Sequence, residues 1–170
     1  MAYNITPLIG IDFTATFTDL TSAENIGKTP SLGEQATTDD GGEAVFVLAG
    51  SAITKSMTCH VTPDLSAVPL TTALAPTAGR IAFAQFGGIA SGSYGWLKTR
   101  GKVSILLLPA CNASVPLYTS DSAGILDDAT ATATQYQVGG VIAVASAGAS
   151  TATTTCFAAS YPTIIRSVNP

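Results

Sequence analysis

The feature that most constrains this chain is the run at residues 94–107, where two β-prone segments flank Arg100-Gly101. A two-residue polar turn ending in glycine between alternating segments predicts a β-hairpin. In that register Thr99 faces Lys102, Trp96 faces Ile105 and Tyr94 faces Leu107. Cross-strand partners share a face, so Tyr94, Trp96, Val103, Ile105 and Leu107 are expected on a core face. Gly95, Leu97, Thr99, Lys102, Ser104 and Leu106 make up the other, mixed face. A cross-strand pair such as Trp96/Ile105 contributes about 0.2–1 kcal/mol beyond burial. The hairpin is expected to be the nucleus of the fold.

The remaining strands are read from the same two signals, alternation and turn chemistry. Residues 43–49 alternate after the turn chemistry of Asp39, Asp40, Gly41 and Gly42, and a strand around 57–61 is expected to pair with them. Residues 63–76, with three prolines, read as loop, and 81–86 as a further strand. Residues 115–119 and 125–126 flank a Ser/Asp/Gly turn and predict a second hairpin, with Pro116 at an edge or strand start. Residues 135–145 form another strand, where Gly139-Gly140 signals a bulge, and 155–158 and 163–167 supply the last ones. Short strands at roughly 8–12-residue spacing without a helical period indicate an all-β protein, a compact β-barrel or β-sandwich of short antiparallel strands.

Residues 1–42 differ in character from the rest of the chain. They are rich in Thr and Ser and interrupted by Pro7 and Pro30, so they read as an extended N-terminal arm ahead of a domain at 43–170. A short strand is expected around residues 9–17. Ile9, Ile11 and Phe13 fall at alternate positions, as one face of a strand added to a sheet edge requires, and they are the candidate contacts of the arm.

No catalytic constellation is found. His60 is the only histidine, and as the strand neighbour of Cys59 it points to the opposite face, so the two form no dyad. Cys59, Cys111 and Cys156 are widely spaced with no C-x-x-C, which predicts free buried thiols and no metal site. The glycine-rich segments lack a phosphate-loop pattern, the acidic pairs Asp39-Asp40 and Asp127-Asp128 lack calcium-loop spacing, and no cofactor is expected. Lys98, Arg100 and Lys102 would gather at the hairpin tip, a candidate contact for an acidic protein surface but too few for a nucleic-acid reader. Only 11% of the 170 residues are charged and the net charge is -4, which disfavours nucleic acid as the main partner. Low charge with many small side chains suits a surface covered by neighbours in an assembly. Residues 1–13 have no basic, apolar leader pattern, and no run is long enough to span a membrane.

One set of residues carries a resemblance. The strand Tyr94-Gly95-Trp96, the polar turn ending in Gly101, the segment Cys111-Asn112-Ala113 with Val115-Pro116-Leu117-Tyr118-Thr119, and Ala123-Gly124-Ile125-Leu126-Asp127-Asp128 resemble small head proteins of tailed bacteriophages, of the capsid decoration or cement type. The likeness extends more loosely to residues 43–53 and 137–144. It implies a non-enzymatic virion protein made in the host cytoplasm and bound to the capsid exterior. There it would bridge subunits of the major capsid protein, as a trimer or other ring. Another β-rich virion part, from tail, neck or fibre, is the alternative. A carbohydrate-binding module using Tyr94, Trp96 or Tyr118 as stacking platforms is a third reading.

Overall fold

A computed structural model describes residues 12–21, 29–128 and 135–165. The protein is all-β: among the described residues there are ten strands and no helix. In chain order they are β1 (Gln35–Thr37), β2 (Glu43–Ala49), β3 (Thr58–Val61), β4 (Ser66–Pro69) and β5 (Arg80–Phe83), then β6 (Tyr94–Leu107), β7 (Leu117–Thr119), β8 (Ile125–Asp127), β9 (Gln137–Ala143) and β10 (Ala152–Ile165).

Five of them close a barrel in the order β2-β4-β3-β5-β6 and back to β2. Its interior takes alternate residues of each strand: Val45, Val47 and Ala49, then Ala67, Cys59, Val61, Ala82 and Leu97, with Ile53 and Ile89 bridged beside them. A five-stranded barrel is narrow, and the Ala, Val and Cys side chains at these positions fit its small cross-section. The other strands lie outside it. They form a second circuit of pairings, β6-β10-β9-β7-β8 and back to β6. Between that circuit and the outer wall of β5 sits a second core, where Val103, Ile105 and Leu107 meet Leu117, Leu126, Val138, Cys156 and, from the barrel wall, Ile81 and Phe83.

The central strand therefore differs from the expected hairpin. Arg100-Gly101 is not a turn, and β6 runs unbroken for 14 residues. Up to Arg100 it pairs with β2, and from Gly101 onward with β10. Folding back on itself would have satisfied the two halves of β6 locally but left β2 and β10 as open edges with unpaired backbone groups. Gly101 has φ +101°, and a Cβ there would lie 2.8 Å from the Cα of Gly42. A Cβ on Gly42 would in turn collide with the carbonyl oxygen of Arg100. Two glycines thus allow the close approach at which the strand changes partner.

Continuity also changes the faces. In one strand, even and odd positions oppose each other, so Tyr94 and Trp96 lie on the side away from Val103, Ile105 and Leu107. Leu97, expected on the mixed face, is fully buried inside the barrel. Trp96 is nonetheless buried, because the outer wall of β2 and β6 carries a third cluster of Ala44, Phe46 and Trp96, packed against Phe13, Phe17 and Phe86. Phe13 stacks on Phe86 at 4.6 Å and meets Trp96 edge-on at 5.3 Å. Ile9 and Ile11 lie outside the described residues. Over 12–21 the expected strand is reduced to a single bridge between Phe17 and Tyr94.

Three other differences are local. β3 pairs with β4 and β5, not with β2, because β4 arises within the segment read as loop, in four residues that end at Pro69 and that the prolines concealed. Two pairings, β2–β4 and β6–β8, are parallel. The two expected C-terminal strands are one, β10, whose register shifts between Ala158 and Thr163 opposite Gly139–Val141, so the extra residues sit on β10 across from the glycine pair. The β7–β8 hairpin is antiparallel, as its turn chemistry predicts.

Gly101→Ala places a side chain in a left-handed conformation and against backbone at once. It is expected to destabilise the protein by at least about 1–3 kcal/mol in urea unfolding. A change under about 0.5 kcal/mol, the range usual for surface substitutions, would contradict the close approach.

Candidate functional site

The three basic residues of β6 do not gather at a tip, since there is none. Lys98 points to the outer wall and is only 5% exposed. Its Nζ lies 2.5 Å from Oδ2 of Asp40, a carboxylate that also accepts hydrogen bonds from the Thr38 hydroxyl and the Gly42 amide. Arg100 lies 3.5 Å from Glu43, which accepts a hydrogen bond from the Tyr161 hydroxyl. The first two cations are therefore engaged within the fold, tying the 38–43 turn and β10 to β6. Lys102 alone stands exposed.

The groups with chemical potential are similarly sequestered. Cys59 faces the barrel interior and His60 the other side of β3. Burial pushes the Cys59 thiol up to about 12 and the Cys156 thiol to about 12. Burial also raises Cys111, to about 11, assisted by the nearby Asp128 and Asp127 carboxylates. His60 is 2% exposed; its Nε2 is 3.3 Å from the Thr77 hydroxyl and its Nδ1 has no partner among the described residues. Asp128 accepts hydrogen bonds from the backbone and side-chain N–H groups of Asn112, both at 2.8 Å, and so anchors the loop after β6. Among the described residues no group of His, Cys, Asp and Glu side chains could hold a metal ion. Trp96 at 2% exposure and half-buried Tyr94 do not offer open rings for stacking a sugar.

What the surface does offer is an apolar sheet face. On β9 and just beyond it Ile142 is 54% and Val144 63% exposed, and on β10 Phe157 is 52% exposed. The register places them side by side. Lys102, Phe157 and Ile142 form one row across β6, β10 and β9. Ser104 and Thr155 pair in the next row, and the Val144 amide donates to the Thr155 carbonyl. Tyr161 and Ile165, 54% and 46% exposed, follow towards the end of β10. Isolated exposed hydrophobic residues are ordinary, whereas adjacent ones on one sheet face make a candidate interaction surface. Sequence reasoning located both strands but missed this face. The available signal was that β9 is apolar at successive positions, Val141, Ile142, Ala143 and Val144, which cannot all point inward.

No protein-family model matches the chain, and no curated protein matches it.

Two buried or paired groups contribute separable parts of the acid response. Burial lowers the His60 pKa below its usual 6.5, so the folded state resists a proton that the unfolded chain accepts. Burial opposes ionisation of Asp40, but Lys98, Thr38 and Gly42 outweigh it and bring the carboxyl from 3.8 down to about 2. Both folded pKa values are depressed, so both contributions are full above the unfolded values and are lost as pH falls. Stability should decline first below 6.5, from His60, and again between 3.8 and about 2, from Asp40. Urea midpoints across this range should show both declines. His60→Gln should flatten the first and Lys98→Met the second; an unchanged profile in either variant would refute that assignment.

Proposed function

We propose that this chain is a structural virion protein of a tailed phage, a decoration protein that binds the capsid exterior and stabilises the shell without performing a reaction. The observation that carries the reading is the apolar row of Phe157 and Ile142, continued by Val144, on an otherwise finished β-fold. A monomer with so exposed a face gains by covering it, and a decoration protein meets both the shell and its own copies. The resemblance of residues 94–128 to small phage head proteins and the charged fraction of 11% agree with a protein surrounded by neighbours.

The mechanism is linkage. A ligand that binds only the assembled lattice, across adjacent subunits of the major capsid protein, adds its binding free energy to the lattice and opposes its opening. Association into a trimer or another ring would match the symmetry of local capsid axes. Of the contact residues that the sequence suggests, Lys102 lies at the end of the Phe157–Ile142 row and belongs to the proposed face. Lys98, Arg100 and Phe13 serve the interior or its edges.

Cosedimentation with undecorated shells provides the test. The wild-type protein should pellet with shells to a fixed stoichiometry. Phe157→Ser combined with Ile142→Ser should keep the urea midpoint close to wild type, because both side chains are half exposed, and reduce shell occupancy at least about tenfold. Failure of the wild-type protein to bind shells would reject the function. Full binding by the double variant would reject this face.

A further inference from the structure

A second feature of the surface points to a binding site of different chemistry. The loop at residues 75–79 and the end of β10 enclose a cleft of about 280 Å³, lined by Pro76, Thr77, Gly79, Arg80, Pro162 and Thr163 among others. On the other side of Arg80 lies a cleft of about 250 Å³, walled by Val61, Pro63 and Leu65. Arg80 thus lines both clefts, the smaller with largely apolar walls and the larger with mixed polar and apolar ones. Its guanidinium makes no ion pair among the described residues, where the pairs are Lys98 with Asp40 and Arg100 with Glu43. Of the carboxylates nearby, Glu43 is already held by Arg100 and the Tyr161 hydroxyl, and Asp64, between the cleft-lining Pro63 and Leu65, forms no ion pair with Arg80. Arg80 and Arg100 both act electrostatically on that hydroxyl.

The floor of the site is fixed. Thr77 donates its hydroxyl to the Leu74 carbonyl at 2.6 Å and lies 3.3 Å from Nε2 of buried His60. Gly79 lies so close over His60 that a Cβ there would collide with the imidazole. The loop is therefore seated on β3, and Arg80, the first residue of β5, projects from a rigid element. A planar guanidinium with unused donors recognises a carboxylate through two parallel hydrogen bonds. Proline and aliphatic walls on either side suit the backbone and small side chains of an extended segment.

We propose that the Arg80 clefts are a receptor for an acidic side chain presented on an extended peptide segment of a partner protein. The site is independent of the shell reading: it holds for any partner with such a segment, and its test contains no shell.

The probe is acetyl-Ala-Glu-Ala-amide, titrated into the 15N-labelled full chain and followed by NMR, with the Gln tripeptide and sodium acetate as controls. The glutamate peptide should shift the Gly79 and Thr163 amides and the Arg80 Nε–H saturably, and the glutamine peptide should bind about tenfold more weakly. Arg80→Gln should abolish the difference between the peptides while leaving the rest of the spectrum in place, and Arg80→Lys should restore part of it. Equal shifts from both peptides, no shift from either, or an undiminished response in Arg80→Gln would overturn the proposal. Acetate binding as strongly as the glutamate peptide would also overturn it, since the clefts would then be a bare anion site.

Discussion

The close approach of Gly42 to Gly101 is the constraint on which the rest of the structure depends. At that point β6 leaves β2 and joins β10, and both partners must pass within backbone contact of it. Only residues without a Cβ allow this, and Gly101 also supplies a φ of +101°. With the crossing in place, one strand closes the barrel with its first half and organises the second core with its other half. Without it, neither circuit of pairings could close. The Lys98–Asp40 pair and the Glu43 contacts with Arg100 and Tyr161 sit around the same point, so the ion pairs of the fold reinforce its crossing.

The composition of the chain reflects the same geometry. A narrow barrel needs small interior residues, and both walls of that barrel are covered in turn, one by the second core and one by the aromatic cluster around Trp96. Strands buried on two faces leave few positions for charge. The outer side of β9 and β10 is the place where this economy ends in exposed Phe157, Ile142 and Val144 rather than in polar residues. The proposed attachment face is thus the part of the sheet system that the fold itself does not cover.

Much of the fold was legible in the sequence because its signals are local. The all-β class, the strands at 43–49 and 137–143, and the β7–β8 hairpin come from alternation and turn residues within a few positions of each other. The continuity of β6 was not legible, because Arg100-Gly101 has the chemistry of a turn, and the competing partners β2 and β10 lie far away in sequence. Lys98 read as an exposed contact at a hairpin tip because its partner Asp40 is 58 residues distant. The burial of Trp96 was foreseen on the wrong face: a hairpin puts it beside Ile105, whereas a continuous strand puts it under Phe13. The apolar face and the Arg80 clefts escaped because period two defines which residues share a side, not which side another element covers.

Sharing β6 also has a mechanical meaning. The β10 strand is joined to β6 by an antiparallel ladder from Ala152/Leu107 to Ala158/Gly101, and β6 is itself a stave of the barrel. A pull on the exposed face of β10 along the strand direction loads the whole ladder in shear, where all its rungs resist together, instead of peeling them one at a time. The same load passes along the continuous β6 strand into the barrel wall.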